Sequence, residues 1–341
     1  MPIDEGPLPV GKLNPALLAA LLGDITCDDP GVILGPGIGR DVAVLDNGAD
    51  GYLIAKTDPV TFATDAIGYY VVNVNANDIA TSGGSPRWFL ATALLPDTTA
   101  TAAMAAEIFS QIDTACRKLN VTLVGGHTEI THDLNRPIVV GQMLGEVARD
   151  RLITPAGLRS GDAIILTKLA PVEGTALIAR EQPEKLLAAG YTDETVRRCA
   201  AMLFDPGISV LRDAQVAVAS GEVHAMHDPT EGGIATGLWE MAEAAGLGLS
   251  INRPSIPIAP EARDICLTFS LDPLGLIASG SLLIGCARAD AEAIVAALEE
   301  AGIVAAIIGR AVPGSEGVTL TTGRETVAMP RFDQDELTRV L

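Results

Sequence analysis

Short stretches in which apolar residues crowd together or alternate with polar ones recur through the first half of the chain. Asp41–Leu45, Tyr52–Thr57, Arg87–Leu95, Val121–Val124 and Ile138–Val147 have the β-branched and aliphatic density, and the length, of strands. Between them the period lengthens. In Thr98–Leu119 the apolar residues Met104, Ile108, Ile112 and Ala115 recur at helical spacing, and Thr98 or Thr99 offers a hydroxyl to cap the first turn. Pro and Gly punctuate Ile153–Gly157, and a fresh strand, Ala163–Thr167, follows Gly161-Asp162. This reading divides the chain into residues 1–153 and 154–341. In the second part helices are expected at Glu173–Arg180, Glu194–Leu203, Ser209–Ala219, Thr236–Ala245 and Ala289–Glu300, alternating with strands such as Ser281–Cys286 and Ile303–Ile308. Strands interleaved with helices in both parts predict an α/β or α+β fold.

At 341 residues and 48% hydrophobic content the chain can bury more than one apolar core, in keeping with two domains. Aromatics are only 4% of residues, which favours sheets covered by closely packed helices over an aromatic-rich binding surface. A formal net charge of −20 repels phosphate backbones and anionic membrane surfaces, so neither nucleic acid nor a membrane is an expected partner. The cysteines (Cys27, Cys116, Cys199, Cys266, Cys286) are scattered and form no CxxC pair, signalling neither a disulfide framework nor a zinc site. Met1-Pro2-Ile3-Asp4-Glu5 lacks a basic, then apolar leader, and no apolar run reaches the roughly 20 residues of a membrane span. A cytoplasmic location is expected.

Against this background, several polar segments stand out at strand ends. Gly35-Pro36-Gly37-Ile38-Gly39-Arg40-Asp41 brings glycines before an apolar strand, where backbone amides such as those of Gly37 and Gly39 could approach a phosphate and Asp41 could help hold a cation. It lacks the Gly-Lys-Ser/Thr ending of a Walker A loop, and a purely structural turn is the competing reading. Lys56-Thr57-Asp58-Pro59, followed by Thr64-Asp65, places carboxylates where open α/β folds collect ligands. Asn73 to Gly84 inserts Asn73, Asn75, Asn77 and Asp78 into a helix-compatible stretch, with Asn75 and Asp78 on one face. Oxygen donors of this kind suit Mg²⁺; a capped surface helix is the alternative. Gly125-Gly126-His127-Thr128-Glu129 follows an apolar strand. Its counterpart, His227-Asp228-Pro229-Thr230-Glu231-Gly232-Gly233, leads into a helix whose N-terminus favours an anion. His132 and His224 have no ligand-spaced partner and read as structural. No HExxH or GxSxG motif occurs, so zinc proteolysis and serine hydrolysis lack their machinery.

Taken in order, GPGIGRDVAVL, KTDPVTFATD, VNANDIATSGGSPRWF, GGHTE and HDPTEGG resemble the AIR synthase-related superfamily over residues 10 to 310, most of all its hydrogenase-maturation branch. The resemblance implies an N-terminal α/β domain whose strands form a barrel with a second subunit, a flanking C-terminal α+β domain, and ATP in a cleft near the homodimer interface. Carried across by motif, Asp41, Asp58, Asn75, Asp78 and Glu129 become candidates for the Mg²⁺ or phosphate site. Gly125, Gly126, His127 and Thr128 lie beside Glu129, and Asn77 lies beside Asp78. From the second domain come Asp228, Thr230, Gly232 and Gly233, with His227 adjacent, while Lys56 could neutralise phosphate charge. Two departures are visible. Arg40 stands where many relatives have an acid, and the chain ends Leu337-Thr338-Arg339-Val340-Leu341 with its last cysteine at Cys286, so a terminal-cysteine self-modification is not expected.

The leading functional expectation is Mg²⁺- and ATP-dependent activation of a carbonyl or amide oxygen, or phosphorylation of a small acceptor, with His227 or Asp228 assisting proton transfer. The acceptor, small or protein-borne, is unidentified, and the branch resemblance implies a maturation-factor partner. A thiamine-monophosphate-kinase-like phosphotransferase and a nucleotide-binding scaffold without turnover are the alternatives.

Overall fold

Alternation of buried and exposed positions in the first part yields a six-stranded sheet, seen in a computed structural model that describes residues 8, 13, 15–23, 25–37, 39–48, 50–61, 63 and 65–341. Ile38 of the glycine-rich turn, Thr64 and residues 1–7 lie outside the described residues. The elements of this part are α1 (Pro15–Gly23), β1 (Val32–Leu34), β2 (Ala43–Asp46), β3 (Gly51–Val60), α2 (Ile67–Thr81), β4 (Ser85–Pro96), α3 (Ala102–Lys118), β5 (Thr122–Thr131) and β6 (Ile138–Ala148). The strand order is β1-β2-β3-β6-β4-β5. β3 pairs with β6 over its whole length, from Gly51 opposite Ala148 to Val60 opposite Val139. That pairing extends β3 past the expected end at Thr57, so Asp58 and Pro59 lie within the strand.

Helices α2 and α3 cover this sheet. Ile67, Val71 and Ile79 of α2 pack with Ile108 and Ile112 of α3 on Ile54, Phe89, Val139 and Met143 from the strands. α3 starts later than its sequence suggests because residues 96–100 form a turn; the cap is Thr101, whose hydroxyl accepts from the Met104 N–H at 3.1 Å. β5 also departs from expectation. The diglycine does not end it, since parallel pairing with β4 continues from Ala91 opposite Gly126 to Pro96 opposite Thr131. A Cβ at Gly126 would collide with the Ala91 carbonyl, which explains a glycine at this close approach.

The second part contributes β7 (Ala163–Thr167), α4 (Val172–Glu181), α5 (Pro183–Ala188), α6 (Asp193–Ala201), α7 (Leu211–Ser220), β8 (Val223–His227), α8 (Gly233–Ala245), β9 (Gly248–Asn252), α9 (Pro260–Phe269), β10 (Leu283–Cys286), α10 (Ala291–Glu300), β11 (Ala305–Val312), β12 (Val318–Thr322) and β13 (Glu325–Ala328). Its seven strands run β13-β12-β9-β11-β7-β10-β8, antiparallel except for β12 beside β9. Period-two alternation in β7 decides which helix covers which face. Ile164 and Leu166 pack with Ile234, Leu238 and Met241 of α8, whereas Ala163 and Ile165 meet α7 and α10 through Ala214, Ala217, Ile294 and Leu298.

The two parts share a core: Val172, Leu177, Leu203 and Ile208 cluster with the apolar residues of α2 and the first sheet. A buried asparagine reinforces the junction. Asn77 donates from Nδ2 to the Ile208 carbonyl at 2.8 Å and accepts the Val210 N–H at 2.9 Å. No described helix is long and apolar enough to cross a membrane.

Candidate active site

Residues two apart on a strand project from the same face, so Lys56 and Asp58 emerge together from β3. α2 packs beside that strand and brings Asp78 to the same point. Lys56 Nζ lies 3.2 Å from Asp58 Oδ2 and 3.2 Å from Asp78 Oδ2. One helical turn earlier, Asn75 fixes the strand itself: it accepts the Asp58 backbone N–H at 2.9 Å and donates to the Asp58 carbonyl at 3.2 Å and the Val71 carbonyl at 2.8 Å. The sequence was right to pair Asn75 with Asp78 on one face, but Asn75 spends its amide on the backbone of the site.

The other side is supplied by the second part. Asp228 follows β8 directly, and Asp41 enters from the loop ahead of β2. Ligand-capable atoms of Asp41, His227 and Asp228 lie within 4.8 Å of one another. His227 Nδ1 donates to Asp41 Oδ2 at 2.9 Å and Nε2 to Glu240 Oε2 of α8 at 2.8 Å. Burial works against charge on this ring, yet Asp41 and Glu240 hold its pKa well above the usual histidine range. With both nitrogens hydrogen-bonded to carboxylates, His227 bridges Asp41 and Glu240 and orients Asp41. Glu240 carries no sequence signal, because only the fold brings α8 back against β8.

A cavity of about 520 Å³ opens between the two parts, and Asp41, Lys56, Asp58, Asp78, Asp228 and Thr230 are among the residues that line it. Its electrostatics are those of crowded acids. Burial raises Asp78 well above the ordinary carboxylate range against the pull of Lys56. Burial, with repulsion from Asp41, pushes Asp228 up to about 7. Burial alone would lower Lys56, but Asp78, Asp58, Asp41 and Asp228 together keep it above its usual value. Oδ1 of Asp228 is buried with no hydrogen-bond partner among the described residues. An orphaned carboxylate oxygen beside a second carboxylate fits a hard dication such as Mg²⁺.

Other residues of the expected set stand apart from this cavity. Gly37 and Gly39 do not line it. Gly39, with φ of +68°, packs against Glu240 and Ala244 of α8, and Arg40 folds back to donate to the Gly35 carbonyl at 3.3 Å. Asn77 is taken up by the junction described above. Gly125, Gly126, His127, Thr128 and Glu129 lie exposed on the edge strand β5, where His127 Nε2 and Glu129 Oε2 are 3.2 Å apart. The diglycine before α8 is also committed. Gly232 and Gly233 adopt φ of +77° and +63°, and the Gly232 N–H donates to Asp335 Oδ2 at 2.7 Å. The negative group that this helix end favours is thus already part of the protein. Asp335 also accepts the Leu337 N–H at 2.8 Å, and burial raises its pKa to about 6. No motif marks Tyr70, Arg136, Glu173 and Ser279, which also line the cavity.

Residues 39–147 match the N-terminal domain of AIR synthase related protein, and residues 159–321 match its C-terminal domain. Carbamoyl dehydratase HypE of Cupriavidus necator is 30% identical over 267 residues, covering 76% of this chain and 72% of that protein. Among solved structures, hydrogenase maturation protein HypE in complex with ATP superposes with a TM-score of 0.71 at 22% identity, covering 95% of this chain and 92% of that one. ThiL complexed with AMPPCP and TMP superposes with a TM-score of 0.68 at 18% identity, covering 93% and 94%. These two share the fold. The domain matches and the HypE relative together place the chain in the AIR synthase-related protein family.

Proposed function

We propose that the protein is an enzyme that uses Mg²⁺-bound ATP to activate a carbonyl or amide oxygen of an acceptor, or to phosphorylate a small acceptor outright. The observation that carries this reading is the convergence of Asp41, Asp58, Asp78 and Asp228 around Lys56 on one cavity. Asp41 and Asp228 would hold Mg²⁺, which when bound neutralises phosphate charge. Lys56 meets phosphate oxygens, Asp58 and Asp78 hold Lys56 in place, and His227 orients Asp41. Thr230 at the rim offers a hydroxyl. The acids exclude a second anion unless a cation accompanies it, which makes nucleotide binding metal-dependent.

The HypE neighbour's complex with ATP and the ThiL neighbour's complex with AMPPCP support the nucleotide. We place the protein in the cytoplasm as a homodimer, divided at residues 1–153 and 154–341. The exposed edge strand β5, with Val124 and Ile130 half in solvent, supports pairing with a second copy. In that assembly the His127–Glu129 edge would approach a neighbouring cavity. The HypE relative favours a maturation-factor partner. The ThiL likeness keeps phosphorylation of thiamine monophosphate as a second reading, removed by the absence of any phosphorylated product with that acceptor.

Calorimetric titration with a non-hydrolysable ATP analogue tests the proposal. Saturable binding that requires Mg²⁺ and weakens at least about tenfold in Asp228→Asn is expected, the loss of one charged ligand being worth about 1.4 kcal/mol or more. No binding by folded wild-type protein overturns it.

A further inference from the structure

One face of α2 runs the length of the cavity. Tyr70, Val74 and Asp78 are spaced by four residues and all line it, so Tyr70 stands roughly 12 Å along the helix from the acidic cluster. Around Tyr70 the walls change character. Leu177 and Ile277 are apolar, and Glu173 and Ser279 face the same space from α4 and from the segment before β10. Tyr70 is 1% exposed and Glu173 is 6% exposed. The Tyr70 hydroxyl and Glu173 Oε2 are both buried without a hydrogen-bond partner among the described residues. Ser279 donates to the Glu173 carboxyl from its hydroxyl and its backbone N–H, which fixes the group and leaves Oε2 as the oxygen without a partner among the described residues. Two such polar atoms on nine-tenths-buried side chains, beside apolar walls, are groups that one polar group of a small molecule could satisfy together.

We infer that Tyr70 and Glu173 form an acceptor subsite that donates two hydrogen bonds to an uncharged carbonyl group on a small, otherwise apolar molecule. The inference rests on the ATP-dependent reading for the role of the bound molecule, and on the cavity alone for its chemistry. Burial pushes Glu173 up to about 8, so at neutral pH it is a carboxylic acid. With Ser279 donating to one oxygen, the proton sits on the other and makes Oε2 a donor, as a carboxyl kept neutral by an apolar site can be. Burial likewise raises Tyr70 well above its usual range and keeps it a phenol. A carboxylate ligand would add negative charge to a cavity already lined by Asp41, Asp58, Asp78 and Asp228, and an ammonium would face two donors.

Three isosteric probes separate the possibilities: isobutyramide, isobutylammonium and isobutyrate. Each is titrated by ligand-observed NMR against the full chain saturated with Mg²⁺ and a non-hydrolysable ATP analogue. Isobutyramide is expected to bind, with affinity reduced at least about tenfold in Glu173→Leu and about threefold or more in Tyr70→Phe. Glu173→Gln keeps a donor and is expected to retain most of the affinity. Preference for isobutylammonium or isobutyrate, equal binding by Glu173→Leu, or displacement of isobutyramide by the nucleotide analogue would each overturn the inference. Nucleotide titration of the same variants runs in parallel. If the analogue fails to bind, the ATP reading falls, and the probes titrated without it still decide the subsite.

Discussion

Asn75 and the backbone of Asp58 hold each other in both directions, the strand N–H donating to the side chain at 2.9 Å and the side chain donating back to the strand carbonyl at 3.2 Å. Asn75→Ala leaves both strand groups without these partners. The expected cost is about 1–3 kcal/mol of stability, read as a fall of several degrees in Tm, together with weaker Mg²⁺-nucleotide binding as Asp58 shifts. Gly141→Ala tests the same contact from the other side, since its Cβ would collide with the Asn75 amide. Unchanged melting and titration curves in both variants would disprove the role.

Lys56 offsets four acids that repel one another. Lys56→Met removes that compensation and is expected to destabilise the metal-free protein by about 3–5 kcal/mol, the range for breaking a buried ion pair. Mg²⁺ should then raise the Tm of the variant more than that of wild type, because an added dication replaces part of the lost charge. Equal Mg²⁺-induced shifts in the two proteins would count against this electrostatic account.

Glu173 gives a pH dependence of definite sign. Its pKa rises from 4.5 to about 8 on folding, so the stability it confers is complete below about pH 4.5, declines as pH rises, and is gone above pH 8. Wild type should therefore lose stability relative to Glu173→Gln between pH 5 and pH 9, by roughly 3–5 kcal/mol at most. Differential scanning calorimetry across that window checks it, and parallel Tm profiles for the two proteins would refute it.

Asn77 bridges the two parts through the backbone of Ile208 and Val210. Asn77→Ala should speed hydrogen exchange in residues 208–213 while the amides of β3 and β6 stay protected. Uniform loss of protection across both sheets would mean that the asparagine supports the whole fold and not the junction.

Much of this architecture was legible because its signals are local. Period-two runs gave β3, β4, β6 and β7, and the spacing in 98–119 gave α3. The edges of these elements were less so, since pairing partners decide them. β3 runs on through Asp58 because β6 is there to receive it, and β5 crosses two glycines because Gly126 must pass close to Ala91. Asp41, Lys56, Asp58, Asp78 and Asp228, picked by type and order, do meet on one cavity, whereas Glu129, picked in the same way, lies apart on β5. What spacing could not reveal is the second partner of each group. Glu240 on His227, Asp335 on Gly232 and Ser279 on Glu173 are separated in sequence by 13, 103 and 106 positions, and no pattern in the chain links them. For the same reason the glycine-rich turn, read for its amides, is seen to be packing against α8.

The bond between Asp335 and Gly232 sets the size of the piece that can be studied alone. The stretch matching the family's second domain stops at residue 321, fourteen residues short of the carboxylate that caps the turn into α8. A chain truncated after residue 321 would keep every acid of the cavity and still lack the group that holds the Asp228–Gly233 loop in shape. The unit recognised by likeness is therefore smaller than the unit that folds cooperatively, and shortening experiments should begin beyond Val340, whose carbonyl accepts Lys185 at 2.7 Å and whose side chain belongs to the shared core.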